Sequence, residues 1–360
     1  MANSSDYSRL DRALHKLSFS SLTLQNALAD IEANLFSKSW KGVEPSKPVF
    51  ITSLPRAGTT IILEGLHQLP GLATHTYRDM PFILTPVLWN KLSAGIRSKG
   101  VRRERAHGDG LIISEDSPEA FEEVLWRKYF PDNYSADSIR LWDSANADFT
   151  SYFREHMQKI ISLRYPDEEK GRYVSKNNGN IARTSVIKQM FPDASIIVPL
   201  RNPIEHAISM WRQHKNFLEQ QANDPFVSRY MEDIGHYEFG NLHRPIQFPN
   251  LNSLTSGLSA GSLSLDYWIA YWIAAFEYLS EQDGIDFLSY ENFCQSPESG
   301  LGKLCQHIEL DAPREAIAEA AKLFRSAPDP RVQQHEADQE LITRAENVYN
   351  SLLPRCLLIH

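Results

Sequence analysis

The sequence predicts an α/β fold, a P-loop-like three-layer domain with a central parallel sheet flanked by helices and with helical N- and C-terminal extensions. Two observations carry this prediction. Short apolar runs bounded by turn residues have the pattern of buried strands, and they alternate along the chain with segments of helical periodicity. Strands that alternate with helices in this way form right-handed crossovers, and such crossovers produce a parallel sheet.

The first segment, residues 1–46, is predicted to be a helical extension. Its apolar positions recur mostly at helical spacing, which indicates an amphipathic helical hairpin that packs on the main domain or on a partner subunit. These positions are Leu10, Leu14, Leu17, Leu22, Leu24, Leu28, Ile31 and Leu35.

Residues 47–360 are predicted to form one α/β domain. Its strands are the runs KPVFITSL (47–54), RYVSK (172–176), ASIIVPL (194–200) and GIDFLSY (284–290). Helices are predicted from Thr59 onward, over 151–163, over NIARTSVIKQMF (180–191) and over PIEHAISMWRQHKNF (203–217).

The remaining segments of this domain are predicted from composition. Residues 71–117 are predicted to be rich in loops, and 218–262 to be an irregular insertion rich in Asn, Gly, Pro and Ser. The run LSLDYWIAYWIAAFEYL (263–279) contains two carboxylates and is shorter than the ~20 residues that span a bilayer, so it is predicted to be a buried helix. Residues 297–360 are predicted to be a helical C-terminal part.

Composition excludes several functional classes. The chain of 360 residues is 42% hydrophobic and 23% charged, which is typical of a soluble globular protein. A net charge of −8 argues against nucleic acid or anionic membrane as a partner, since both favour a basic surface. The three cysteines are scattered, and the 12 histidines show no pair at metal-ligand spacing backed by carboxylates. We therefore expect a cytoplasmic protein without a transmembrane segment, a secretory signal or a bound metal.

The stretch FITSLPRAGTTIILEGL (50–66) has the layout of a strand, a tight turn and a helix start. An anion binds at such a place because the first helical N–H groups are unpaired and carry the positive end of the helix dipole. Glycine allows close backbone approach, while hydroxyl and guanidinium groups add donors. The candidate anion ligands are Arg56, Ala57, Gly58, Thr59 and Thr60. A Walker loop would read GxxxxGK[ST], and neither its first glycine nor its lysine is in place. An ordinary strand-to-helix turn is the alternative.

A second segment, ASIIVPLRNPIEHAISMWRQH, places Arg201 at a strand end and Ser209 eight residues later on the following helix. Ligands bind at strand ends in open parallel sheets. Arg201 and Ser209 are predicted to share one phosphate; a surface or ion-pairing role for Arg201 is the alternative.

These segments together resemble the nucleotide-binding segments of sulfotransferases that use 3′-phosphoadenosine-5′-phosphosulfate (PAPS). LPRAGTT resembles their 5′-phosphosulfate loop, and RNPIEHAIS is similar to their 3′-phosphate segment. IDFLSYENF resembles a third place, where members end a strand with a Tyr-Glu pair, here Tyr290 and Glu291. The resemblance extends from about residue 47 to residue 293 and is closest to the arginine-loop branch, which includes bacterial and protein-tyrosine sulfotransferases.

The resemblance implies an enzyme that moves the sulfuryl group of PAPS to a hydroxyl of an unidentified acceptor (a glycan, small molecule, lipid or tyrosine) and releases 3′,5′-adenosine bisphosphate (PAP). It implies Tyr290 as a nucleotide ligand. It also implies Lys176, in YVSKNNGNIAR, beside the bridging oxygen together with Arg56, although Asn177 and Asn178 replace the Asp-Pro of the family stretch. Transfer is expected to be in-line and independent of metal. A homodimer is possible.

The general base is left open by the sequence. The branch carries a glutamate about twenty residues after the loop, whereas an ungapped count reaches Tyr77 here. Asp79 and His75 are the neighbouring candidates, and His107 and Asp109 are further ones. A salt-bridged loop carboxylate and a surface histidine are the respective structural alternatives.

Two competing functions also remain at this point. A P-loop kinase would need a Walker lysine and magnesium ligands. A non-catalytic module that binds PAP or PAPS would keep Arg201 and Ser209 but would not need Arg56 and Lys176.

Overall fold

The architecture was analysed in a computed structural model of the chain. The structure describes residues 9–93, 103–104, 112–113, 116–167, 170–258, 260–324 and 337–357.

The central sheet has six strands, and all of its pairings are parallel. The strand order is β1-β6-β2-β7-β8, and β3 also pairs with β6. These strands are β1 (Glu44–Pro45), β2 (Val49–Ile51), β3 (Leu72–Ala73), β6 (Lys170–Lys176), β7 (Ser195–Leu200) and β8 (Asp286–Ser289). A separate antiparallel pair is formed by β4 (Arg103–Glu104) and β5 (Ile112–Ile113). The predicted α/β fold with a central parallel sheet is confirmed.

Both faces of the sheet are buried because apolar residues occupy successive positions of the strands, and not only every second position. In β2, Phe50 belongs to one hydrophobic core, while Val49 and Ile51 belong to a second core. In β7, Ile196 and Ile197 divide between the two cores in the same way. Successive side chains of a strand point to opposite faces, so each core lies on its own face of the sheet. This arrangement gives the three layers.

The helices precede, separate and follow the strands along the chain. They are α1 (Arg9–Ser18), α2 (Leu22–Phe36), α3 (Thr59–His67), α4 (Pro86–Ser93), α5 (Glu123–Tyr129), α6 (Ala147–Arg164), α7 (Thr184–Met190), α8 (Pro203–Asn223), α9 (Pro225–Ile234), α10 (Leu251–Thr255), α11 (Leu265–Ser280), α12 (Tyr290–Gln295), α13 (Pro297–His307), α14 (Arg314–Ala321) and α15 (Gln339–Leu352). Helices α3, α13 and α14 supply one core, and α6, α7, α8, α11 and α15 supply the other.

The N-terminal helices pack on the main domain through buried and partly buried ion pairs. Lys159 of α6 lies 3.0 Å from the buried Glu32 of α2, whose carboxylate also accepts the amide of Leu88 at 2.8 Å. His15 of α1 lies 3.0 Å from Asp233 of α9. The extension is therefore held on the domain by charged side chains, whereas Leu17, Ile31 and Leu35 of its predicted apolar face are exposed.

One segment differs from the sequence prediction. The segment 218–262 is helical over its first part, because α8 continues to Asn223 and α9 follows at once. Asp224 makes this possible: its carboxylate accepts the amide of Phe226 at 2.9 Å and caps α9, whose first residue is a proline. The run 263–279 is a buried helix as predicted, and no helix in the described part of the chain is both long and apolar enough to cross a membrane.

Candidate functional site

Residues 52–58, the predicted anion-binding segment, connect the carboxyl end of β2 to α3 and are called the phosphate loop. Arg56 has φ 74°, and Gly58, the N-cap residue of α3, has φ 91°. A non-glycine residue in the left-handed region costs about 1–2 kcal/mol, and such strain is concentrated at functional sites. Ala57 is fully buried between these two residues. The loop thus ends at the amino terminus of a nine-residue helix, where an anion binds favourably.

The second predicted segment lies against this loop. Arg201, which follows β7, donates from its guanidinium to the carbonyl oxygen of Arg56 at 3.0 Å. Arg56 in turn donates from Nε to the hydroxyl of Ser209 on α8 at 3.4 Å. A guanidinium carries five N–H donors, so this one bond does not exhaust the capacity of Arg201. The structure therefore brings Arg56, Arg201 and Ser209 together at one edge of the sheet.

Tyr290 covers the loop from the end of β8. A Cβ atom on Gly58 would lie 2.2 Å from Cε2 of Tyr290, so only glycine allows this close approach. The guanidinium of Arg201 lies 5.5 Å from the centre of the Tyr290 ring. The neighbouring Glu291 accepts the amide of Asn202 at 2.8 Å, which ties the end of β8 to the start of α8. The three segments that carry the resemblance, LPRAGTT, RNPIEHAIS and IDFLSYENF, therefore meet at this edge of the sheet.

Lys176 is the last residue of β6 and pairs in register with Ile51 of β2, directly before the phosphate loop. It is buried. Asn178, two residues further, accepts a hydrogen bond from the hydroxyl of Thr59 at 3.3 Å. The proton of this hydroxyl is therefore already used in a hydrogen bond within the protein. Thr60 is the second residue of α3. The cations of Arg56, Arg201 and Lys176 thus all belong to the carboxyl edge of the sheet.

A buried network fixes the chain that carries Lys176. Glu123 of α5 forms an ion pair with the fully buried Arg183 and accepts the side-chain amide of Asn177 at 2.7 Å. Glu122 accepts the side-chain amide of Asn180 at 2.8 Å and the hydroxyl of Ser175. Glu122 and Glu123 are therefore anchors of the loop after β6, since both are buried among these partners.

Asp79 lies in a buried cluster next to β3. Its carboxylate accepts Arg164 at 2.6 Å, the backbone amide of Thr76 at 3.0 Å and Nδ1 of His75 at 3.1 Å. Burial raises the pKa of Asp79, but the charge of Arg164 and the bond to His75 prevail and hold that pKa well below its usual value. Asp79 thus closes the turn of residues 76–79 and is an ion-paired carboxylate with little affinity for a proton, so its role as general base stays a prediction that requires a rearrangement of this cluster.

His75 belongs to the same cluster. Its side chain is almost wholly buried, Nδ1 contacts Asp79, and Nε2 lies 2.8 Å from Nε2 of His156. Both ring nitrogens are thereby used within the protein. His75 is thus no surface histidine, and its role as a base also requires a rearrangement of this cluster. His107 and Asp109 lie outside the described residues.

Two supporting residues carry no sequence signal of their own. His206 of α8 donates from Nε2 to the carbonyl oxygen of Pro55 at 2.8 Å and accepts Trp272 Nε1 on Nδ1 at 3.2 Å. Burial, followed by the charge of Arg201, lowers the pKa of His206 to about 3, so the ring is neutral. Glu238 accepts the side-chain amide of Asn178 at 3.2 Å. His206 lies within RNPIEHAIS, whereas Glu238 lies in the segment predicted to be irregular.

The comparisons with known proteins agree with this geometry. A profile described as "Sulfotransferase family" matches residues 48–248, which is more than half of the 360 residues. The chain belongs to this family, and the resemblance of its motifs is confirmed at that level.

Solved sulfotransferases have the same fold. The sulfotransferase STF9 from Mycobacterium avium is similar with a TM-score of 0.51 and 11% identity, over 98% of this chain and 87% of that chain. STF1 from Mycobacterium tuberculosis H37Rv is similar with a TM-score of 0.50 and 12% identity, over 96% and 87%. Identities this low show a shared fold alone. None of the curated proteins compared matches the chain.

Proposed function

We propose that this sulfotransferase takes the sulfuryl group of PAPS and transfers it to a hydroxyl group of its acceptor, releasing PAP. The observation that carries the proposal is the direct contact between the phosphate loop and the segment after β7, through the bond of Arg56 to Ser209 and that of Arg201 to the Arg56 carbonyl. A nucleotide with phosphates at both its 5′ and 3′ positions needs two anion sites close together, and ATP does not.

The hydrogen-bond donors of the two segments suit this nucleotide. The amino terminus of α3, with Ala57, Gly58, Thr59 and Thr60, would hold the 5′-phosphosulfate. Arg201 and Ser209 would hold the 3′-phosphate, because a guanidinium binds phosphate with paired hydrogen bonds. Tyr290, packed against Gly58 and 5.5 Å from Arg201, would contact the nucleotide itself.

Catalysis then depends on cations that neutralise developing charge. Sulfuryl transfer resembles phosphoryl transfer, in which charge develops on the leaving oxygen. Lys176 and Arg56 would stabilise that charge from the ends of β6 and β2. Removal of one preorganised donor of this kind typically lowers kcat about 100-fold or more.

Calorimetric titration tests which nucleotide the protein binds. PAP is expected to bind at least tenfold more tightly than ATP, with no change when magnesium is added. Arg201→Ala should weaken PAP binding by about tenfold or more, since a bond to a charged group contributes ~1.5–3 kcal/mol. Arg314→Ala is the matched control, because that side chain is 90% exposed and its carboxylate contact with Glu298 is 3.9 Å.

Equal affinities for PAP and magnesium–ATP would support the kinase alternative and overturn the proposal. Transfer is tested with radiolabelled PAPS and a panel of glycans, phenols, lipids and tyrosine peptides. Tight PAP binding without label transfer to any hydroxyl, even at high protein concentration, would favour the non-catalytic module.

A further inference from the structure

The carboxylate of Glu291 joins three parts of the chain at the carboxyl edge of the sheet. Glu291 is the second residue of α12 and directly follows Tyr290. Its Oε1 accepts the backbone amide of Asn202 at 2.8 Å, and its Oε2 accepts the hydroxyl of Tyr349 at 3.4 Å. Tyr349 belongs to α15, close to the C-terminal end of the described chain. One carboxylate oxygen is therefore bound to the start of α8, and the other to the C-terminal helix.

Asn202 is fixed through both its backbone and its side chain. It is the N-cap residue of α8, and its side-chain oxygen accepts the amides of Ile204 at 3.1 Å and Glu205 at 3.2 Å. Its own amide, which Glu291 accepts, belongs to the peptide unit that links Arg201 to Asn202. Because a peptide unit is planar, this one bond fixes the orientation of the whole unit beside Arg201.

The end of β8 contacts both candidate anion-binding segments. Tyr290 packs against Gly58 of the phosphate loop, whereas Glu291, the next residue, binds the segment after β7. The guanidinium of Arg201 lies between them in space, 5.5 Å from the centre of the Tyr290 ring and 3.0 Å from the carbonyl oxygen of Arg56. A displacement of Glu291 would therefore shift the backbone of Arg201 relative to the phosphate loop.

Tyr349 reaches Glu291 from a helix that is packed into the core. Ala345 and Leu352 of α15 are buried in the same core as α8 and α11, and α15 packs on both of these helices. Burial, followed by the nearby Glu291, raises the pKa of the Tyr349 phenol. The phenol thus keeps its proton at neutral pH and donates it to the carboxylate.

We infer that Glu291 and Tyr349 are positioning residues of the 3′-phosphate site, so that the C-terminal helix α15 takes part in nucleotide recognition. The inference rests on the proposed function, in which Arg201 and Ser209 hold the 3′-phosphate. Glu291 holds the peptide unit next to Arg201, and Tyr349 keeps the carboxylate of Glu291 in the orientation that reaches Asn202. Together they set the direction from which the guanidinium approaches the phosphate.

This role depends on hydrogen bonding and not on the charge of the carboxylate. A negative group near a phosphate site repels the phosphate, so an effect of charge alone would make PAP bind more tightly when Glu291 is removed. An effect of position has the opposite sign. It should also be preserved in Glu291→Gln, because the side-chain oxygen of glutamine accepts the same backbone amide.

The test compares PAP with adenosine 5′-phosphate, which differs from PAP only in lacking the 3′-phosphate. Calorimetric titration of the full chain with each nucleotide gives two Kd values, and their ratio isolates the contribution of the 3′-phosphate. A variant that only loosens the fold weakens both nucleotides alike and leaves this ratio unchanged. Hydrogen bonds to charged groups predict that the wild type prefers PAP by at least ~30-fold.

Three variants separate the possible outcomes. Glu291→Ala should lower the preference for PAP by ~10-fold, and Tyr349→Phe by ~3-fold, since the phenylalanine leaves the carboxylate in place but loses one hydrogen bond. Glu291→Gln should keep the preference within about twofold of the wild type. In an Arg201→Ala background, Glu291→Ala should change the preference no further, because the guanidinium that it positions is absent.

Arg344→Ala is the matched control on the same helix. Arg344 forms a partly exposed ion pair with Glu277 at 2.8 Å, and such surface pairs contribute little to stability. Its removal should leave the preference for PAP unchanged, because it does not contact Glu291.

A preference that rises or stays within about twofold in Glu291→Ala would overturn the inference, as would an equal loss in the Arg201→Ala background. If Glu291→Ala does not fold, Tyr349→Phe decides, since it removes a single oxygen atom; an unchanged preference there would refute the role of α15. A wild type that binds PAP no more tightly than adenosine 5′-phosphate would instead refute the proposed function.

Discussion

Gly58→Ala tests the close approach of Tyr290 to the phosphate loop. The added Cβ would lie 2.2 Å from Cε2 and 2.4 Å from Cδ2 of Tyr290, whereas ordinary contacts begin at 3.4 Å. The ring must therefore move by more than about 1 Å, away from a loop backbone that is tied to α8. Its position next to Arg201 is lost, and with it the contact proposed for the nucleotide.

A second glycine, Gly257, is a control for the free-energy cost of placing alanine in a left-handed backbone conformation. Gly257 has the same φ of 91°, and no atom lies within 4 Å of the place that a Cβ would occupy there. Both alanine variants should lose about 1–2 kcal/mol of unfolding free energy from the left-handed backbone. Only Gly58→Ala should also weaken PAP binding, by about tenfold or more, because an aromatic contact with a base is worth ~1–3 kcal/mol.

Urea unfolding and calorimetric titration with PAP measure the two quantities. In a Tyr290→Ala background, Gly58→Ala should lose only the stability that Gly257→Ala loses, since the colliding ring is absent. The reasoning is refuted if Gly58→Ala and Gly257→Ala behave alike in both assays.

Three further results are expected. Glu123→Gln should lower the unfolding free energy by about 3–5 kcal/mol in urea, because it leaves Arg183 charged and fully buried, and a loss below about 1 kcal/mol would contradict this. Burial, then Arg201, lowers the pKa of His206 to about 3, so between its ordinary 6.5 and 3 the unfolded state binds the extra proton and stability falls as pH falls. The wild type should therefore show a slope steeper than that of His206→Gln by about 1.4 kcal/mol per pH unit between pH 5 and 6, and equal slopes would exclude a buried neutral His206. Asp79→Asn should lose about 3–5 kcal/mol of unfolding free energy by breaking the pair with Arg164, whereas loss of kcat at unchanged stability would support Asp79 as the general base.

The sheet was predictable because its strands are short apolar runs with clear boundaries. The runs around Phe50, Val174, Ile197 and Leu288 all form parallel strands. β1 and β3 have only two residues each, and a pattern of period two cannot be recognised over so short a span. Helix α9 was missed because its residues are mixed in polarity and its cap, Asp224, was not recognised in a segment rich in loop-forming residues.

The meeting of the two candidate anion-binding segments was predictable because each is a local motif at the end of a strand. Arg56, Gly58, Arg201 and Ser209 lie within two short stretches, and the structure brings both stretches together. The partners that hold them are distant in sequence: Glu291 contacts Asn202 from 89 residues away, which no local pattern reports.

The general base stays a prediction because the surroundings of a carboxylate or an imidazole decide whether it can take a proton. Asp79 and His75 were chosen for their place in the sequence, and their burial became visible only in the structure. Glu238 is separated from Asn178 by 60 residues, so its nearness to the loop depends on the whole fold.

A crystal structure of the PAP complex tests the central claim most directly. The account predicts the 5′-phosphate at the amino terminus of α3, within hydrogen-bond distance of the backbone amides of Gly58 and Thr59. It predicts the 3′-phosphate within 3.5 Å (roughly the limit of a hydrogen bond) of both Arg201 and Ser209. PAP bound elsewhere, or with its two phosphates exchanged between these sites, would contradict the account.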